Sequence, residues 1–115
     1  MIDESWTDAA RMLRSDADFW ALRVVDETTD GHQVRNDVAL PVSRVRDRGA
    51  MLIAWAGAGA GYAASANLSP HGLQAALDVA TARAKASAEW TLIDHRQAAR
   101  PPAGGVYASP GIEVP

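Results

Sequence analysis

The sequence predicts an α+β domain: an antiparallel meander of about five strands, with an N-terminal helix and a long C-terminal helix packed on one face. Three observations predict it. Apolar, branched and aromatic runs alternate with turn signals from Phe19 to Ala66. Ser69-Pro70 then opens a long segment whose apolar residues recur at helical spacing. The connections between the strand-like runs are short, which favours antiparallel neighbours over crossovers. With 115 residues, the length suits one domain with a single modest core.

The first helix is expected from Glu4 to Ser15, capped by Asp3, because Trp6, Ala9, Ala10 and Leu13 share one helical face. "FWALRVVDE" (Phe19 to Glu27) reads as a strand with Trp20, Leu22 and Val24 on one face and Phe19, Ala21, Arg23 and Val25 on the other. "TTDG" (Thr28 to Gly31) signals a turn, "HQVRN" a short strand, and Asn36-Asp37 a second turn, since both residues tolerate positive φ. Val38 to Arg46 reads as a third strand with a bulge near Pro41, which cannot donate to a ladder.

"RDRG" (Arg46 to Gly49) then reads as a turn into "AMLIAWA", the expected central and most buried strand. "GAG" (Gly57 to Gly59) turns the chain into "AGYAASA", the last strand. Leu73, Ala76, Leu77, Ala80, Ala84 and Ala88 form one stripe down the closing helix, which is expected to reach about Glu89. A stripe so rich in alanine implies close approach to the sheet. Residues 1–94 therefore make the domain, and the Pro/Gly-rich residues 95–115 read as a linker or tail. Large side chains are scarce, so Trp6, Phe19, Trp20, Trp55 and Trp90 are the core candidates beside the aliphatic residues.

Composition narrows the function. A formal charge of −3 argues against a nucleic-acid binder. The absence of cysteine excludes disulfides and thiolate metal sites. No apolar run has the ~20 residues of a membrane span, and "MIDESWTD" is acidic where a secretory leader would be basic. A soluble, cytoplasmic chain is expected.

"WAGAGAGYAASANLSP" (Trp55 to Pro70) raises the question of a phosphate cradle. A dinucleotide fingerprint needs G-x-G-x-x-G between a strand and a helix, but Tyr62 stands where the third glycine should fall, and the next helix start lies at Pro70. A hairpin turn whose glycines supply positive φ accounts for the run better. The three histidines, His32, His71 and His95, have no second ligand at i+3 or i+4, so no metal site and no cofactor are expected in this chain. The serines lack a nucleophile elbow, and Ser69 is explained as a helix cap. Asp26, Glu27 and Asp30 read as a solvated strand end. Arg44, Arg46 and Arg48 alternate and project from one strand face, where they could grip a phosphate backbone or an acidic partner surface, or defend a sheet edge against pairing. The overall acidity favours a partner protein over a phosphate backbone. They are the candidate partner-contact residues.

Four phrases in order resemble the N-terminal domain of the TldD/PmbA family, the modulator-of-gyrase type zinc metallopeptidases. "ADFWALRVVDETTDGHQVRN" is similar to that family's opening, and "VSRVRDRGAMLIAW" to its Ser-x-x-x-Asp-x-Gly turn feeding an apolar strand. "GYAASANLSP" is similar to its Gly-aromatic-Ala-Ser strand and Leu-Ser-Pro cap, and "LQAALDVATARAKAS" to the alanine-rich helix that follows. The match spans about Ala17 to Ser87. Asn36-Asp37 departs from the more usual Asn-Gly, and "AGAGAG" is more biased to glycine and alanine than expected.

The resemblance implies a non-catalytic domain of a larger, commonly dimeric peptidase. Zinc and the water-activating Glu would belong to a separate C-terminal domain with a H-E-x-x-x-H motif, and "GGVYASPGIEVP" resembles the segment just before it. No His-Glu pair occurs in this chain, so no catalytic or metal residue carries over. The alternative is a stand-alone module that binds a protein or a peptide by strand addition.

Overall fold

A computed structural model describes residues 4–94, 96–98 and 101–107. It has helix α1 (Glu4–Met12), strands β1 (Phe19–Gly31), β2 (Val34–Arg35), β3 (Val38–Ala39), β4 (Ser43–Ala56) and β5 (Gly59–Ser65), and helix α2 (Pro70–Ser87), closed by a 3-10 turn at Ala88–Trp90. The expected α+β architecture is present. The five strands divide into an antiparallel sheet of order β1-β4-β5 and a small β2-β3 hairpin. Asp3, the expected cap of α1, lies outside the described residues.

Alanine and leucine dominate the core because α2 lies close against the sheet. Leu52, Leu73 and Leu77 are its largest fully enclosed side chains, with Ala54, Ala80 and Ala84 sealed between them. Trp6, Trp20, Leu22 and Val24 pack on this core from the side, as the alternation in β1 predicts. Two expected core aromatics are not in it: Phe19 is 38% exposed on the opposite sheet face, and Trp90 is 82% exposed beyond α2.

The helix signals act as expected at α2. The Ser69 hydroxyl accepts from the Gly72 N–H at 3.1 Å, and Pro70 occupies the first turn, where a missing N–H costs nothing. Helix α1 stops earlier than Ser15 because tertiary bonds capture the backbone there. The Gln74 amide takes both the N–H (2.9 Å) and the carbonyl (2.7 Å) of Arg14. The Ser15 hydroxyl meets that of Thr81 at 2.7 Å and accepts from the Ala17 N–H at 3.0 Å.

Two expected turns are strand instead. "TTDG" continues β1 to Gly31, and "RDRG" runs straight through β4, so that β1 and β4 pair without interruption from Phe19↔Trp55 to Gly31↔Ser43. Cross-strand ion pairs, described below, override the local turn propensity. Because β5 pairs with β4 only as far as Ala50↔Ser65, everything beyond that point is a two-stranded arm. The chain breaks from β3 to β4 at Leu40–Val42 around Pro41, where a bulge in a continuous strand was expected. Asn36 and Asp37 have φ of 50° and 61°, the positive pair of a type I′ turn, and they form the tip of the arm. The radius of gyration, 19.0 Å, exceeds the roughly 13 Å of a compact chain this long. The arm and the outgoing segment extend the molecule.

Candidate functional site

The glycine run is answered by its geometry. Only Gly57, at φ +57°, uses positive φ in the turn between β4 and β5. Gly59 and Gly61 lie within β5 and form a seat for α2: a Cβ built on Gly61 would lie 2.1 Å from the Ala80 carbonyl oxygen and 2.5 Å from the Ala84 nitrogen, and one on Gly59 would lie 2.1 Å from the Ala84 oxygen. These glycines make room for the helix main chain. The signal was legible as G-x-G facing A-x-x-x-A-x-x-x-A in the helix.

Arg44, Arg46 and Arg48 alternate along β4 on the helix-side face of the arm. Arg44 stands directly opposite Asp30 and grips it through both carboxylate oxygens, Nε to Oδ1 at 2.6 Å and Nη2 to Oδ2 at 2.8 Å. Arg46, opposite Thr28, reaches diagonally to Asp26 in a second fork at 2.9 and 2.7 Å. Arg48 approaches the same Asp26 at 3.5 Å, and its guanidinium carbon lies 5.7 Å from the centroid of the Trp6 ring. The carboxylates expected to be a solvated strand end are thus split by the strand pleat. Asp26 and Asp30 face the arginines, while Glu27 lies on the other face, opposite Asp47.

The fork from Arg46, then the charges of Arg46 and Arg48, hold the Asp26 carboxyl below the usual carboxylate range despite some desolvation. The fork from Arg44 does the same for Asp30. The carboxylates in turn raise Arg44 and Arg46. Below the ladder, α1 and the sheet enclose an open groove of about 830 Å³ whose walls include Trp6, Trp20, Leu22, Val24, Asp26, Arg46 and Arg48. It joins an apolar floor to a rim where each arginine already has a carboxylate neighbour.

The described residues do not fit a zinc centre. No group of three His, Cys, Asp or Glu side chains among them is placed to hold a metal ion. His32 and His71 are exposed on separate segments, and His95 lies outside the described residues. Among the described residues no helix is long and apolar enough to cross a membrane.

The sequence-predicted site residues Arg44, Arg46 and Arg48 are therefore brought together, with acidic partners that the expected turns had concealed. The feature missed by the sequence reading is the opposite, outer face of the sheet. No described helix covers it, and it carries Phe19, Ala21, Val25, Met51, Ile53, Trp55 and Tyr62 around Arg23. The chain matches no family model, no curated protein and no solved structure.

Proposed function

We propose that this chain is the non-catalytic N-terminal domain, or a truncated member, of a TldD/PmbA-like zinc metallopeptidase, acting in the cytoplasm. Its role is to shape the dimer and the substrate cavity, while zinc and the catalytic Glu belong to a C-terminal domain. The observation that carries the reading is the order of elements: an aromatic-led strand, a long paired arm, an apolar central strand, and a Gly-Ala strand running into a Ser-Pro-capped alanine helix. Supporting it, Trp90, Leu92 and Ile93 are 82%, 99% and 65% exposed where the chain leaves the domain, an apolar set suited to a further domain. Arg44, Arg46 and Arg48 are the proposed partner-contact residues, and the partner is a protein of the same family, with peptide substrate in the shared cavity.

The covalent mass of the protein in its own cells tests this reading. A species several times heavier than 12.2 kDa is expected, and this chain alone should bind no zinc and hydrolyse no peptide. A cellular mass equal to this chain overturns the domain reading and leaves the truncated member or the second reading, a free-standing module that binds a protein or peptide by strand addition. In that second reading the open outer edge of β1 would receive the added strand. Charge reversal at Arg44, Arg46 and Arg48 together should weaken assembly. Unchanged assembly removes them as the contact face.

A further inference from the structure

The sheet has three stretches of edge, and they are not equivalent. The outer edge of β5 is closed by α2: the Ser87 hydroxyl accepts from the Ala60 N–H at 3.1 Å and lies 3.0 Å from the Ala60 carbonyl, and Arg83 donates to the Tyr62 carbonyl at 2.7 Å. The second stretch is the β4 side of the arm, from Ser43 to Gly49, beyond the end of β5. If two copies paired antiparallel there about Arg46, Arg46 would face Arg46 and Arg44 would face Arg48. Like charges directly opposite oppose such a contact.

The third stretch is β1, thirteen residues without proline. Among the described residues, no hydrogen bond closes its outer edge between Trp20 and Gly31. Its charges on the outer face are self-complementary. Val25 is the midpoint of the strand, so two copies paired antiparallel from Trp20 to Asp30 place Val25 against Val25 and Trp20 against Asp30. The same register puts Arg23 of each copy opposite Glu27 of the other, twice by symmetry.

Within one chain these groups have no use for each other. Arg23 and Glu27 are about 13 Å apart along the strand. Glu27 instead faces Asp47 across the β1-β4 ladder, an exposed like-charge pair with no basic neighbour on that face of the arm among the described residues. A second copy supplies the missing cation, in the row Asp47, Glu27, Arg23 of the second copy.

We propose that the outer edge of β1 binds a second copy of this chain, in antiparallel register about Val25, forming a continuous six-stranded sheet locked by two Arg23–Glu27 contacts. This deepens the assembly role proposed above and rests on it, but its test is independent of the cellular mass.

Analytical ultracentrifugation of the 115-residue chain should show a dimer. R23E and E27R should each weaken it about tenfold, since each places like charges opposite one another at both symmetric sites. The double variant R23E/E27R should restore the wild-type constant, a rescue that no contact within one chain can produce at that separation. Circular dichroism confirms the fold of each variant. V25C gives a second readout that needs no charge change, because the chain has no cysteine and the paired Cα atoms would lie about 5 Å apart. Oxidation should link V25C into dimers and leave V38C, at the arm tip, unlinked. A monomer, unchanged dimerisation in the single variants, absence of rescue, or equal cross-linking of V38C overturns the proposal. Should a charge-reversed variant fail to fold, the V25C and V38C comparison decides.

Discussion

Replacing Gly61 by alanine adds one methyl group at the point where β5 meets α2. That methyl would lie 2.1 Å from the Ala80 carbonyl oxygen, 2.5 Å from the Ala84 nitrogen and 2.9 Å from the Arg83 Cβ, where ordinary contact begins at 3.4 Å. Two of the three obstacles are helix main chain, which no rotamer change can move aside, so α2 must lift by more than an ångström. Lifting it also strains the Ser87 bridge to Ala60. Overpacking of this kind costs about 3 kcal/mol, the upper end of the usual range. Alanine recovers about 0.5–1 kcal/mol of that by restricting the unfolded chain. The net loss of about 2 kcal/mol corresponds to a fall in melting temperature of about 8–16 °C for a domain of this size.

Calorimetry together with urea unfolding reads both quantities. Gly57 is the internal control: its φ is +57° and nothing lies within 4 Å of a Cβ there, so its cost is conformational alone. Gly57→Asn should recover most of the loss seen in Gly57→Ala, because asparagine enters the left-handed region. Gly61→Asn should be worse than Gly61→Ala. A Gly61→Ala protein that melts with the wild type, or one rescued by asparagine, refutes the seat.

Further outcomes follow from the arm and the clamp. Ser87→Ala strips the Ala60 N–H and carbonyl of their shared partner and should cost about 1–2 kcal/mol; an unchanged unfolding midpoint would show that water serves as well. Asp37→Gly relieves a positive φ of 61° at the arm tip and should stabilise the hairpin by up to about 1 kcal/mol, read as slower amide exchange from Val34 to Ala39. Because Asp26 and Asp30 titrate below the usual carboxylate range in the folded chain, their contribution is complete above the unfolded value of about 3.9 and is lost as pH falls through the depressed values. NMR titration should therefore show the arm amides losing protection only in strong acid, and D26N/D30N should abolish that dependence. Protection lost near pH 5 would assign it to other groups.

The parts of the fold legible in the sequence are those whose signals are local. Ser69-Pro70 and the Leu73–Ala84 stripe specify α2 because cap, first turn and buried face all lie within one segment. "AMLIAWA" announces the central strand because it is paired on both edges, with Ala50, Leu52 and Ala54 sealed on one face and Met51, Ile53 and Trp55 half-buried on the other. "TTDG" and "RDRG" mislead because their turn propensity is real but is overcome by partners far along the chain, Asp30 by Arg44 and Asp26 by Arg46. The early end of α1 depends on Gln74, sixty residues from Arg14, and nothing near Ser15 announces it. Of the candidate site, the shared face of Arg44, Arg46 and Arg48 was legible from alternation alone. Their engagement with acids was not, since it requires the register.

The glycine seat also governs how the helix meets the sheet. Toward its C-terminal end α2 rests on bare main chain at Gly59 and Gly61, whereas toward its N-terminal end Leu73 and Leu77 meet the sheet through side chains that can exchange rotamers. The seat thus fixes the closest helix–sheet approach at the C-terminal half of α2, while its leucine half is tied to the chain after α1 through the Arg14–Gln74 clamp.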